Sequence, residues 1–150
     1  MTARQYYLGI VLLLAVRISG TLAGTITGKV TAKGVKNSGD AVVYIETAGE
    51  KSFPAPKDHP VMDQKNLKFV PHVLPVVAGT TVDFLNSDKV LHNVFSPDNC
   101  AEKFTLGSWP QGQKKSFTFK TLGCSPVLLC NVHPEMEGYI VTLQNPYFAV

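Results

Sequence analysis

The chain has 150 residues, which is enough for one domain with a single hydrophobic core. It carries 14 Lys and Arg against 11 Asp and Glu, a formal net charge of +3, with no basic run and no acidic tail. This composition argues against a nucleic-acid-binding protein and against a disordered one.

The first 23 residues have the three parts of a secretory signal peptide. Residues 1–7 are polar and include Arg4, residues 8–16 form an unbroken apolar run, and small residues lead to Ala23. The apolar run stops before Arg17, whereas a membrane-spanning helix needs about 20 apolar residues. We therefore predict cleavage after Ala23, which leaves residues 24–150 as one exported domain without stable membrane insertion. An uncleaved membrane anchor is the alternative.

Short runs rich in β-branched and aromatic residues recur after residue 24. Turn signals such as Ala78-Gly79 and Ser87-Asp88 separate them. Several short strands at this spacing predict an all-β sandwich or barrel. The predicted strands are Thr25–Ala32, Ala41–Thr47, Thr80–Asn86, Val90–Ser96, Lys115–Lys120, Pro126–Cys130 and Tyr139–Gln144.

Two stretches are predicted to lie outside the sheets. Residues 48–66 contain Pro54, Pro56 and Pro60 together with several charges, which is typical of a long excursion between strands. Residues 97–112 are interpreted as a second long loop that connects two strands.

Four residues in two places form a set of metal donors. Cys130, His133 and Met136 are spaced three apart, and His92 lies far upstream on another predicted strand. A thiolate, two imidazoles and a thioether match the trigonal His₂Cys site with a weak axial Met that electron-transfer copper proteins use. Pro134 lacks an N–H and has a fixed φ, so it should stiffen the loop between two of these donors.

An asparagine follows each of two donors in the sequence. Asn93 comes directly after His92, and Asn131 comes directly after Cys130. We expect both to lie around the metal rather than on it. The hypothesis is that Asn93 links the two donor-bearing segments by hydrogen bonds and points its backbone N–H at the Cys130 sulfur.

Residues 80–145 resemble the copper-binding half of a cupredoxin, the superfamily of plastocyanin, azurin and amicyanin. The resemblance rests on the Cys-x-x-His-x-x-Met loop with proline after its histidine, on the upstream His-Asn pair, and on Gly-Tyr-Ile at residues 138–140. The wider chain is similar to plastocyanin-like proteins of methylamine-utilisation type in bacterial periplasms. The proline-rich residues 48–66 and the cysteines 100 and 124 are not features of amicyanin.

The resemblance implies a Greek-key β-sandwich or barrel with one type 1 copper ion. Its ligands would be His92, Cys130, His133 and Met136. It also implies a periplasmic protein that is not an enzyme and carries single electrons between redox partners, such as a cytochrome and an oxidase or dehydrogenase. A carboxylate in place of Met136, supplied by Glu135, is the alternative for the fourth ligand.

The three cysteines are interpreted as one disulfide and one free thiol. Pairing Cys100 with Cys124 leaves Cys130 available to a metal, and export to an oxidising compartment favours such a bridge. A second metal, or a two-copper centre that uses Cys124 with Cys130, is the alternative. His72 is interpreted as a packed or surface histidine and His59 as a solvated one.

Two rival functions share the same donors. A periplasmic copper carrier or storage protein would use the four ligands for metal delivery. A domain of a copper nitrite reductase would need a second copper ligand set and a second domain, and neither is recognisable in the sequence.

Overall fold

The computed structural model describes residues 24–34, 38–49, 52–101 and 103–150. The predicted signal peptide, residues 1–23, lies outside the described residues, and so does its proposed cleavage site. Within these ranges the structure is all-β apart from one 3₁₀ turn, Asn99–Ala101. The strands in chain order are β1 (Val43–Tyr44), β2 (Val61–Gln64), β3 (Phe69–Val70), β4 (Val73–Val77), β5 (Thr80–Asn86), β6 (His92–Ser96), β7 (Phe104–Trp109), β8 (Lys114–Phe119), β9 (Val127–Leu129), β10 (Glu137–Leu143) and β11 (Phe148–Ala149).

Two main sheets form the body of the domain. One has five strands in the order β4-β10-β9-β6-β7, and the other has four in the order β3-β2-β5-β8. The contacts β4–β10 and β2–β5 are parallel, and the remaining pairs in these sheets are antiparallel. A small third sheet joins β1 to β11. Because neighbours such as β6 and β9 are far apart in sequence, the connections cross between the sheets, as in the predicted Greek-key sandwich.

The core lies between the two main sheets and reaches the predicted metal donors. Buried apolar side chains from both sheets form one cluster, and that cluster includes Cys130 and Met136. Both donors are therefore fixed by close packing, which resists displacement of side chains. The other members are Met62, Phe69, Val76, Val82, Phe84, Val94, Trp109, Phe119, Leu128 and Ile140.

Five predicted strands are confirmed to within a few residues. The match is complete for Thr80–Asn86. β6 and β9 lie within predicted strands, and β8 and β10 overlap theirs with shifts of one or two residues at each end. The prediction for Ala41–Thr47 is confirmed for Val43–Tyr44 alone. The prediction for Thr25–Ala32 is wrong, because every residue from 24 to 34 is exposed and none of them belongs to a strand in the described part of the chain. Alternating apolar residues do not make a strand where no neighbour is available to pair with.

The two stretches interpreted as loops both contain strands. β2 lies within residues 48–66, where pairing with β5 buries Met62 and Gln64 completely. β7 lies within residues 97–112 and buries Trp109 beside His92 of β6. β4 was also missed, because Pro75 interrupts its apolar run. A proline is tolerated there since β4 is the edge strand of its sheet.

Asp83 on β5 is a buried carboxylate that joins three parts of the fold. It accepts hydrogen bonds from Ser116 Oγ on β8 (2.6 Å), from His59 Nδ1 (2.9 Å) and from Lys114 Nζ. His59 is exposed, as expected, and contacts Asp83 through Nδ1. Burial alone would raise the pKa of Asp83, but the hydrogen bonds and the Lys114 charge together lower it to about 2.

We expect Asp83 to stabilise the fold above about pH 4 and to lose that effect as the pH falls towards 2. Its pKa in the folded state lies below the ordinary value of 3.8, so folding favours the charged form. The difference corresponds to about 2 kcal/mol of unfolding free energy. Denaturant titrations of the copper-free protein from pH 6 to pH 2 should show that Asp83→Asn destabilises at pH 6 and progressively less at lower pH. The matched control is Asp58→Asn, at an exposed carboxylate. A pH-independent effect of Asp83→Asn would contradict this assignment.

Candidate metal centre

Three neighbouring strands bring the predicted donors to one end of the five-stranded sheet. His92 is the first residue of β6, and Cys130 directly follows β9, which pairs with β6. The chain then loops through His133 to Met136, and β10 begins at the next residue beside β9. A hydrogen bond from Met136 N–H to the His133 carbonyl (3.0 Å) closes the loop. The donors therefore meet because of strand order, not because of closeness in sequence.

Gly138 permits the close approach that this loop requires. A Cβ atom at this position would lie 2.8 Å from Phe69 Cβ, nearer than side-chain carbons pack. Gly138 is buried and pairs with Leu128 of β9. A glycine two residues after Met136 therefore lets β10 run against β3 as soon as the loop ends.

Three donor atoms converge on one point. Cys130 Sγ lies 3.9 Å from His92 Nδ1 and 3.9 Å from His133 Nδ1, and the two Nδ1 atoms are 3.1 Å apart. A point equidistant from all three lies about 2.1 Å from each, within the ~2.0–2.3 Å range of metal–imidazole and metal–thiolate bonds. In the described part of the chain, these residues form the one group of at least three His, Cys, Asp or Glu side chains placed to hold a metal ion.

The donors differ in their exposure to solvent. His92, Cys130 and Met136 are 0%, 2% and 1% exposed, whereas His133 is half-buried. Most of the donor set therefore lies in the apolar interior, and one imidazole reaches the surface. Such an arrangement excludes water from the metal on all but one side.

The chemistry of the donors fits copper. A soft thiolate with two imidazoles selects copper over the hard cations, and a buried thioether completes the set used in electron-transfer copper sites. Met136 belongs to the same buried cluster as Cys130, whereas Glu135 is exposed to solvent. The burial of Met136 favours the thioether over the Glu135 carboxylate as the fourth donor.

Asn93 joins the two donor-bearing segments. Its side-chain Oδ1 accepts a hydrogen bond from the backbone N–H of Asn131 at 2.7 Å, which ties β6 to the start of the ligand loop. The side chain of Asn131 is exposed, so this residue contributes through its backbone. The expected contact from Asn93 N–H to Cys130 Sγ is not among the hydrogen bonds of the described residues, where Asn93 pairs with Ser108 of β7.

Asp88 is a residue around the donors that sequence reasoning missed. Its Oδ2 lies 3.0 Å from His92 Nε2, the ring nitrogen on the far side from the proposed metal. Burial raises the pKa of the Asp88 carboxyl, but the backbone N–H groups of Leu67 and Asn66 and the contact with His92 outweigh burial and lower it. The sequence shows only that Asp88 lies in a predicted turn, four residues before a predicted ligand. A spacing of four residues brings two side chains together in a helix but does not do so in a turn.

The remaining cysteines and histidines are accounted for outside this centre. Cys100 and Cys124 form a disulfide with Cα atoms 5.7 Å apart, and Cys130 is the free cysteine of the described residues. The bridge excludes a two-copper centre that uses Cys124. His72 is partly exposed and contacts Asp40 through Nδ1 at 3.0 Å, so it takes no part in the donor group.

Comparisons with known proteins establish the fold. No protein-family model matches the chain, and no curated protein matches its sequence. Among solved structures, a reduced tryptophan-to-tyrosine mutant of amicyanin matches with a TM-score of 0.53 and 24% identity, over 69% of this chain and 99% of that one. An oxidized proline-to-alanine mutant of amicyanin matches with a TM-score of 0.52 and 25% identity over the same shares.

A larger enzyme contains the same fold as one of its parts. The copper-containing nitrite reductase from Thermus scotoductus SA-01 matches with a TM-score of 0.55 and 23% identity over 69% of this chain. The match covers 26% of the enzyme, so this chain spans about a quarter of it.

We expect Asn93→Ala to lower copper affinity by about 10–100-fold and to shift the reduction potential, as loss of a partner around a metal site does. The variant removes the acceptor that holds the ligand loop to β6. Competitive copper titration and voltammetry measure the two effects. The matched control is Asn131→Ala, which keeps the backbone N–H that donates this hydrogen bond. Equal affinities and potentials in both variants and the wild type would show that this link does not support the site.

Proposed function

We propose that this chain, which has the cupredoxin fold, binds one copper ion through His92, Cys130, His133 and Met136 and carries single electrons between redox partner proteins. The observation that carries this proposal is the convergence of Cys130 Sγ and two imidazole Nδ1 atoms on one point, all within 3.9 Å of one another. A buried thioether three residues further along supports it.

The protein's part in electron transfer is to hold the ligands still. When bound, copper supplies a couple that exchanges one electron between Cu⁺ and Cu²⁺. Cys130 and Met136 are packed in the core, and His92 is fully buried on β6. Ligands held in this way keep the same arrangement in both oxidation states, so little reorganisation accompanies the electron. The solved amicyanin structures, described as reduced, oxidized and Cu(I) forms, are consistent with such a cycle in a protein of this fold.

His133 is the proposed route for the electron. It is the one donor that reaches the surface, and the neighbouring Val132 and Pro134 are both exposed. Val132 and Pro134 present a small apolar patch beside His133. A small patch suits brief docking and fast release, as in weak redox encounters. A mature charge near zero adds modest electrostatic steering.

We place the protein in the periplasm. The signal-like residues 1–23 support export, and the Cys100–Cys124 disulfide supports an oxidising compartment. The described residues contain no helix with the length and apolar character needed to cross a membrane.

A copper carrier or storage protein is the second candidate, because it would use the same donors for delivery. Delivery requires ready exchange of the metal, whereas three of the four donors here are fully or almost fully buried. A role in nitrite reduction has less support, since the described residues form a single metal-donor group and the chain spans about a quarter of the matched enzyme.

The optical and EPR spectra of the copper-loaded protein test the proposal directly. We expect an intense thiolate-to-copper absorption band in the visible region and a reversible one-electron wave in voltammetry. Cys130→Ser should abolish the band, and His72→Ala, which removes a histidine outside the donor group, should preserve it. Copper binding without a thiolate band would contradict the ligand set. A normal band without a reversible wave, accompanied by rapid loss of copper to a chelator, would favour the carrier.

We expect His133→Gly to lower copper affinity by more than the roughly 10–100-fold that follows from losing a hydrogen-bond partner of a ligand. We also expect the substitution to slow electron exchange. The substitution opens the surface side of the metal centre, so added imidazole should bind there and restore the spectrum. NMR of mixed Cu(I) and Cu(II) protein measures the rate of electron self-exchange. His72→Gly is the control. Wild-type exchange rates in His133→Gly without imidazole would rule out this route.

A further inference from the structure

The carboxylate of Asp88 lies at the meeting point of a proposed copper ligand and a surface turn. One oxygen, Oδ2, contacts both His92 Nε2 (3.0 Å) and the backbone N–H of Leu67 (3.0 Å), and the other, Oδ1, accepts the N–H of Asn66 (2.7 Å). Since a charged carboxylate can only accept hydrogen bonds, His92 must carry its proton on Nε2. The lone pair of Nδ1 then faces Cys130 and His133.

Asp88 is itself held firmly by a buried amide. Asn86 is fully buried, and its Oδ1 accepts the N–H of Asp88 at 2.9 Å. The Nδ2 group of Asn86 donates to the carbonyls of Val90 (2.8 Å) and Trp109 (2.9 Å). The turn between β5 and β6 is thus fixed at both ends, and the position of the Asp88 carboxylate relative to His92 is fixed with it.

The turn bound by Asp88 has an unusual backbone. Asn66 and Leu67 join β2 to β3 and both have φ near 55°, closed by a hydrogen bond from Lys65 N–H to the Lys68 carbonyl (2.9 Å). A leucine in the left-handed region costs roughly 1–2 kcal/mol and persists where the surroundings impose it. Two hydrogen bonds to a carboxylate are such a constraint. Leu67 is 40% exposed, and it lines a surface groove together with Met136.

We propose that Asp88 is a positioning residue that holds His92 in the Nε2–H form and ties the Asn66–Leu67 turn to the metal centre. This proposal rests on the copper-binding function proposed above. In metal sites, a carboxylate partner of a ligating histidine orients the ring and raises its basicity. A more basic imidazole favours Cu²⁺ over Cu⁺, so Asp88 lowers the reduction potential. Because Oδ2 of Asp88 contacts both groups, a displacement of the turn also alters the hydrogen bond to His92.

The test compares Asp88→Asn and Asp88→Ala with the wild type. The asparagine side chain has one acceptor oxygen, whereas three N–H groups donate to the Asp88 carboxylate. Asp88→Asn therefore disrupts the network while keeping the size of the side chain. We expect Cu²⁺ affinity to fall about tenfold relative to Cu⁺, which raises the potential by ~59 mV. In NMR spectra of the diamagnetic Cu(I) protein, the His92 Nε2–H proton and the Asn66 and Leu67 amides should exchange faster with solvent.

The matched control is Asp98→Asn. The Asp98 carboxylate accepts the backbone N–H of Val127 at 2.8 Å and contacts none of the proposed ligands. Asp98→Asn should lower the stability of the fold without changing the reduction potential or the solvent exchange of the His92 Nε2 proton. If Asp88→Ala fails to fold, Asp88→Asn alone decides the matter.

An unchanged potential, or unchanged exchange of the His92 proton, in Asp88→Asn overturns the positioning role. If the wild type binds no copper, the proposed function fails on its own. The NMR comparison in copper-free protein then still decides whether Asp88 holds His92 and the turn: altered exchange supports that part, and unaltered exchange overturns it.

Discussion

The structure depends on the convergence of three metal-donor atoms at one end of the five-stranded sheet. His92 Nδ1 and His133 Nδ1 lie 3.1 Å apart, and the Nε2 proton of His92 is directed away from them towards Asp88. A buried thiol completes the triangle at 3.9 Å. Polar groups in an apolar interior are costly unless they are partnered. A cation at their centre would be coordinated by all three.

The core and the metal centre stabilise each other through shared residues. Cys130 and Met136 belong to the buried cluster between the sheets, and β6, which begins with His92, is central in its sheet. The Cys100–Cys124 disulfide holds the chain before β9, the strand that leads to Cys130. The predicted ligands are therefore packed on the protein side and open to solvent at a single histidine. That asymmetry suits the proposed electron transfer.

The strands that could be predicted are those whose own residues show the pattern of a half-buried or covered strand. Thr80–Asn86 is of this kind. β2 could not be predicted, because Val61–Gln64 has a mixed composition and becomes a strand by pairing in parallel with β5. Thr25–Ala32 shows the converse: its residues favour a strand, but no neighbouring strand is present among the described residues. Strand formation depends on a partner that local sequence does not reveal.

The sequence by itself determined the chemistry of the candidate centre: a thiolate, two imidazoles and a thioether at a spacing that suits copper, with two further cysteines left to pair. Only the tertiary structure decided which ring nitrogens face the metal, which donor reaches the surface, and that Asp88 lies behind His92. Donor types are properties of residues, whereas tautomer, exposure and hydrogen-bond partners depend on neighbours brought together by strand order. The carboxylate that faces His92 also binds a turn more than 20 residues away in sequence, and no local pattern records that contact.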